Sequence, residues 1–145
     1  MIDIICLGKI KEIYLNDLIN DYLKRINKYK KTNIIELPDN QNILVEEEEI
    51  LNKIDRRSYI ILLDIKGKKY TSEEFASILD KTYINYPKVT FVIGGSTGVT
   101  DKIRDISNLR LSFSDLTFPH GLFRGILLEQ IYRACKINNN ETYHK

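Results

Sequence analysis

Tryptophan is absent from this 145-residue chain, methionine occurs once, and only two histidines, two cysteines and three prolines are present. Cys6 and Cys135 stand near opposite ends, in apolar surroundings, with no CxxC motif and no metal-ligand spacing. Buried free thiols in a reducing compartment are therefore expected. Two histidines, no cysteine cluster and no acidic triad argue against a zinc site, so no metal is expected. No serine or cysteine has a convincing base partner, which leaves covalent hydrolysis without support. No apolar run approaches the roughly 20 residues of a membrane span. Met1 runs straight into a strand pattern, with no signal peptide before it, so a soluble, cytoplasmic protein is expected. Strong charge of one sign is missing too. The formal net charge is +2, too small for a polyelectrolyte clamp, and any nucleic-acid contact has to come from a local patch. The basic surplus lies late in the chain: residues 1–87 carry 14 Lys/Arg against 15 Asp/Glu, and residues 88–145 carry 8 against 5.

At 43% hydrophobic and 29% charged, the chain fits one globular domain over 1–145 with its own core. The segments 2–8, 33–37, 59–68, 88–95 and 109–114 are rich in β-branched or apolar residues and predict strands. Between them, 16–30, 43–54, about 72–86 and 99–107 have helical spacing, and a last helix runs from near Pro119 to about Lys136. Pro119 suits a first helical turn. Ser72, followed by Glu73 and Glu74, opens its helix with acids suited to the dipole. The EEEE run at 46–49 is expected to be mostly a solvated face. Strands alternating with helices predict an α/β fold, a mostly parallel sheet with helices on both faces. In such sheets a ligand crevice lies beyond the carboxyl ends of the strands.

Three loops occupy those ends: DIKGK (64–68), GGSTG (94–98) and SDLTFP (114–119). GGSTG lacks the GK[ST] of a P-loop and the spacing of GxGxxG; it is either a tight turn or a place where backbone approaches a ligand. The last helix has an apolar stripe so wide that it implies either deep burial or burial against two bodies, of which another subunit is one candidate. On that helix Glu129 and Arg133, four apart, are placed to pair as a surface salt bridge. Gly121 and Gly125 each cost roughly 1 kcal/mol in a helix relative to alanine, a cost that close approach of a backbone or ligand would offset. His120 reads as a hydrogen-bonded structural histidine. A loop-built pocket with few titratable groups suits a cofactor already activated for transfer.

LDIKGK, FVIGGSTG, LSFSDLTFPH, the pattern R-x-x-L-x-E-Q-x-Y-R-A and the terminal YHK together resemble one family over essentially the whole chain. It is the SPOUT-class ribosomal RNA methyltransferases that modify N3 of a pseudouridine in the large-subunit (23S) RNA. The opening GKIKEIYLNDLINDYLKRI is also similar to that family's N-terminus. The resemblance implies a deep trefoil knot over about 88–145, a homodimer, and S-adenosylmethionine held by the three loops. By position, Leu63 closes the first loop's strand and Gly95 gives backbone approach in the second. Ser114, Asp115, Leu116, Thr117, Phe118 and Pro119 wrap the cofactor in the third. The resemblance further implies that Tyr143, His144 and Lys145 lie near the cofactor of a dimeric site. His144 is then the candidate for proton acceptance or substrate orientation, Tyr143 for contact with a base, and Arg133 and Lys145 for phosphate. The family tail usually reads Gly-x-Pro-Tyr-His, whereas Asn140, Glu141 and Thr142 precede Tyr143 here, so a looser tail is expected. A SPOUT enzyme acting on another RNA such as tRNA, and a non-catalytic RNA-binding factor on the same fold, are the alternatives.

Overall fold

The computed structural model describes residues 1–145. Five strands, β1 (Ile2–Leu7), β2 (Thr32–Leu37), β3 (Tyr59–Lys69), β4 (Val89–Ile93) and β5 (Leu109–Ser112), form one sheet. Its order is β2-β1-β4-β3-β5 and every pairing is parallel. Five helices follow the strands in turn: α1 (Ile13–Ile26), α2 (Ile43–Lys53), α3 (Ser72–Asn85), α4 (Asp101–Ile106) and α5 (His120–Asn138).

Of the three inner strands, β1 and β4 are buried along their whole length, as continuous apolar runs must be when helices cover both faces. Alternation along each strand sorts the side chains. Ile2, Ile4 and Cys6 join Phe91, Ile61 and Leu111 under α1, α3 and α5, whereas Ile5 and Leu7 join Leu62 and Val92 under α2 and α4. Each large apolar side chain buried this way contributes about 1.5–3 kcal/mol, so these two layers fix which ends of the strands stay open. Both cysteines are buried, and burial pushes each thiol up to about 11, which leaves them unreactive at neutral pH.

α5 lies between α1 and α3, which accounts for its breadth of apolar residues within one chain. Its two glycines meet side chains of α1, not backbone: a Cβ on Gly121 or Gly125 would lie 2.9 Å from Leu15 or Leu18. α1 begins three residues before the expected start, because extended Glu12 takes the cap position and Asn16 donates to the Ile10 carbonyl at 3.0 Å instead of capping. α3 opens with a capping box in which Thr71 and Glu74 exchange side-chain and backbone bonds. Glu73, next in line, is left free of that duty. The EEEE segment is not uniformly solvated. Glu46 is buried, accepting from the Asn40 N–H at 2.9 Å and the Thr97 hydroxyl at 3.2 Å, and Glu47 accepts from Thr100.

Candidate active site

The carboxyl ends of β3, β4 and β5 enclose a cleft of about 400 Å³. Its first wall is an irregularity inside β3, which runs on through 64–68 as a strand with a break in its pairing to β5. Leu63 pairs with Ile93 and Leu111, and pairing to β5 resumes only at Lys68. The looped-out Asp64 accepts from the Lys66 N–H at 3.0 Å and from Arg110 Nε and Nη2 at 3.0 and 2.8 Å. Burial pushes the Asp64 carboxyl up, but these donors outweigh it and hold the group below its usual range. Gly67 permits the fold-over, since a Cβ there would lie 2.6 Å from the Arg110 carbonyl.

The second wall is Gly94–Gly98, where the Gly98 N–H donates to the Gly95 carbonyl at 3.0 Å. Gly98 has φ +81° and nothing within 4 Å of its Cβ position. The loop thus offers open backbone to a ligand, where any other residue would add bulk and strain. The third wall is a serine turn: the Leu116 N–H donates to Ser114 Oγ at 2.9 Å, and Ser112 Oγ donates to the Ser114 carbonyl at 3.1 Å. Phe113, Phe118 and Phe123 form an apolar side, with Phe113 edge-on to Phe123 at 5.3 Å and Phe118 stacked on Phe123 at 6.2 Å.

Leu63, Gly95, Ser114, Leu116, Thr117 and Phe118 all line this cleft, as expected from the sequence. Asp115 and Pro119 do not. Asp115 turns outward to pair with Lys69, and Pro119 caps α5 in an extended conformation while the helix starts at His120. His120 is not the bonded structural histidine expected: it is exposed and lines the cleft. Phe113, Phe123 and Arg104 also line it. The phenylalanines flanking the third loop could have signalled an aromatic wall, but nothing local to α4 marks Arg104.

Arg133, Tyr143 and His144 come together elsewhere. α5 ends in a Schellman turn: the Glu141 N–H donates to the Lys136 carbonyl at 3.0 Å and the Asn140 N–H to that of Ile137 at 3.1 Å. Asn140 takes φ 55° at the left-handed position, a role asparagine can fill. This turn, with no proline, sends the tail back along α5. Tyr143 packs edge-on against Tyr132 at 4.9 Å, beneath the Arg133 guanidinium. Arg133 Nε donates to Glu129 at 3.0 Å and Nη1 to His144 Nδ1 at 3.0 Å, while His144 Nε2 meets Glu73 at 2.6 Å. Because guanidinium only donates, Nδ1 is the accepting nitrogen and the ring proton faces Glu73. His144 in turn holds the Glu73 carboxyl below its usual value. Burial, and then the neighbouring Glu129, push the Tyr143 phenol up to about 12. Ten residues of helix, roughly 15 Å, separate Arg133 from the cleft-lining Phe123.

A strand-end cleft in a parallel sheet, walled by open backbone and aromatic rings, defines a binder of a nucleotide-like molecule acting through loop backbone. Comparison with known proteins gives the particular class. The family model described as "Predicted SPOUT methyltransferase" matches residues 1–144, and the chain belongs to that family. It is 45% identical to the ribosomal RNA large subunit methyltransferase H of Clostridium acetobutylicum and 48% identical to that of Bacillus thuringiensis, with 99% of each chain covered in both cases. Among solved structures, a probable methylase family protein from Haemophilus influenzae superposes with a TM-score of 0.59 at 14% identity, over 99% of this chain and 70% of that one; this likeness concerns the fold alone. The cofactor that goes with the family is S-adenosylmethionine. The cleft fits it, with a phenylalanine wall for a flat base and open backbone at Gly98 for the polar parts.

Proposed function

We propose that the protein is an S-adenosylmethionine-dependent methyltransferase of large-subunit ribosomal RNA, acting on N3 of a pseudouridine in 23S RNA, on assembled ribosomes in the cytoplasm. The relatives named above carry the ribosomal target in their names. The observation that carries the reading is the convergence of the three loops, from 64, 94 and 114 onward, on one cleft. One domain over 1–145, with the trefoil knot over about 88–145, belongs to the same reading. No helix is long and apolar enough to cross a membrane.

Bound S-adenosylmethionine supplies an electrophilic methyl group, so the chain's residues need only bind, orient and exclude water. Leu63, Gly95, Ser114, Leu116, Thr117 and Phe118 hold the cofactor, Gly95 through its backbone and Phe118 through its ring, while Pro119 starts α5 where the loop ends. An imide nitrogen attacks only as its proton leaves. Arg133, Tyr143 and His144 orient the RNA from the tail. A roughly 15 Å offset along α5 separates them from their own cleft, which supports a homodimer in which each tail serves the partner's cofactor. His144 has both ring nitrogens on protein partners, which favours orientation over proton acceptance.

The test is transfer of labelled methyl from S-adenosylmethionine to ribosomes lacking the modification, comparing wild type with His144→Ala. Position-specific transfer that the variant loses while still binding cofactor is the expected result. No transfer by the wild type to ribosomes, with transfer to tRNA instead or with none at all, would overturn the ribosomal assignment.

A further inference from the structure

At the far end of α5 from the cleft, by the amino ends of the strands, lies another cavity, of about 380 Å³. That volume is in the range of small-ligand pockets. Its floor is apolar, since Ile2, Leu79, Ile131 and Ala134 are all buried. Its rim is polar. Lys28, Tyr29 and Lys30 line it from the turn after α1, and Asn138 and Asn139 from the end of α5, where the tail departs.

The turn after α1 holds its lysines in place. The Tyr29 and Lys30 N–H groups donate to the Ile26 carbonyl at 2.8 and 2.9 Å. The Thr32 N–H donates to Asn27 Oδ1 at 2.9 Å, and the Thr32 hydroxyl to the Lys30 carbonyl at 2.9 Å. Lys30 Nζ stands 4.0 Å from the centre of the Tyr83 ring, a contact that keeps its charge at the pocket. Lys69, Lys88 and Lys136 are occupied by ion pairs, whereas Lys28, Lys30 and Lys31 are in none. Asp80 is the one acid among the lining residues, so the pocket carries a positive surplus. Asn138 and Asn139 spend their amide N–H groups on the carbonyls of Ala76 and Cys135, at 3.0 and 2.8 Å. Each Oδ1 is left free to accept. An apolar slot, free acceptors at its rim and preplaced, unpaired cations match a ring with N–H groups carried between anions. Nucleotides in single-stranded RNA have that makeup.

We propose that this pocket anchors one unpaired nucleotide of the RNA substrate, with its base in the apolar slot and its flanking phosphates on Lys28 and Lys30. This rests on the ribosomal RNA reading above. The anchored nucleotide is not the one methylated. Asn138 lies roughly 22 Å along α5 from the cleft-lining Phe123, and the acceptor base goes with the tail to the partner's cleft. Because the tail leaves α5 at the pocket's rim, one RNA strand reaches both.

The test combines the fluorescence anisotropy of a short labelled oligouridylate bound to the full-length protein, over a range of salt, with steady-state methyl transfer to ribosomes. The double variant Lys28→Ala/Lys30→Ala should bind the RNA ~10-fold more weakly, the scale of one hydrogen bond to a charged group. Its log–log salt slope should be shallower by ~1.4, for two lost phosphate contacts. KM for ribosomes should rise by a similar factor, with S-adenosylmethionine binding as in wild type. Asp80→Trp separates the slot from the charge, because it removes an acid yet fills the pocket from an exposed position. It should weaken RNA binding, whereas Asp80→Asn should strengthen it. Binding that Asp80→Trp strengthens, or that the lysine variant retains in full, overturns the anchor. Capture of polyglutamate in preference to oligouridylate also overturns it, and marks an acidic protein as the partner. Wild-type protein that binds RNA through the pocket yet transfers no methyl to ribosomes overturns the ribosomal assignment instead.

Discussion

The strand-end cleft and the C-terminal cluster are assembled on opposite principles. The cleft is mostly backbone: a fold-over in β3 clamped by Arg110 on Asp64, an open glycine loop, and a serine turn against three phenylalanines. Its shape follows from where β3, β4 and β5 end, and the buried layers beneath hold those ends in register. The tail cluster is mostly side chain. Glu129, Arg133, His144 and Glu73 form one chain of contacts, closed by the aromatic packing of Tyr143 on Tyr132. A backbone-built site tolerates most side-chain changes and fails when the backbone path is blocked. A side-chain relay fails when one member is removed.

The largest effect should come from blocking the backbone path. Gly67→Val would set a Cβ 2.6 Å from the Arg110 carbonyl, where nothing flexible can give way. Calorimetric titration should show S-adenosylmethionine binding weakened ~10–100-fold, the loss that about 1–3 kcal/mol of overpacking produces. Unchanged binding would mean the β3 fold-over is not a wall of the cofactor site.

Next in size is Arg133→Ala, which removes the links to Glu129 and His144 together. Single-turnover methyl transfer should fall ~10-fold or more, with cofactor affinity unchanged, since the relay lies outside that protomer's cleft. Arg133→Lys should recover only part, because an ammonium cannot reproduce the fork that meets both partners. If Arg133→Ala weakened cofactor binding as much as Gly67→Val, the two regions would be one site.

A smaller effect is expected at the turn that aims the tail. Asn140→Val places a β-branched residue at φ 55°, a left-handed conformation costing about 1–2 kcal/mol. Hydrogen exchange at the Asn140 and Glu141 amides should accelerate, while that of β1 and β4 stays unchanged. Exchange rising equally in both places would tie the tail to global stability.

The smallest effect concerns pH. His144 holds the Glu73 carboxyl below the usual glutamate range. A lowered folded value means the contact's stabilisation is fully present above the unfolded value and is lost as pH falls through the folded one. Glu73 sits at the surface, so the consequence is local release of the tail, seen as loss of the Tyr143–Tyr132 ring contact by NMR in acid. Release on going from pH 5 to pH 8 would have the opposite sign and would break the Glu73 assignment.

How much was legible in advance depended on the range of the interactions. The five strands, the five helices and the loops from 94 and 114 follow from local pattern, within two or three residues at most ends. Errors arose where a distant partner decided. Asp115 lies in a loop that resembles a cofactor clamp, yet Lys69, 46 positions earlier, draws it outward. The strand over 59–68 was legible, but its break in register between Leu63 and Lys68 was not, because β5, more than 40 positions away, sets that pairing. Glu46 belongs to an acidic run typical of a solvated face, and one of the two groups that satisfy its buried carboxylate, the Thr97 hydroxyl, lies 51 positions away.

The sequence by itself determined the alternating architecture, because apolar periodicity and glycine placement act within a few residues of chain. It also determined the family, because its loop motifs and terminal YHK are contiguous. Only the tertiary structure decided the division of labour. It turned Asp115 away from the cleft, left His120 exposed at the cleft, buried Glu46 and Arg124, and bent the tail onto α3. The physical reason is that a side chain's direction and burial are set by what packs across from it, and in a parallel sheet that partner is usually tens of residues away.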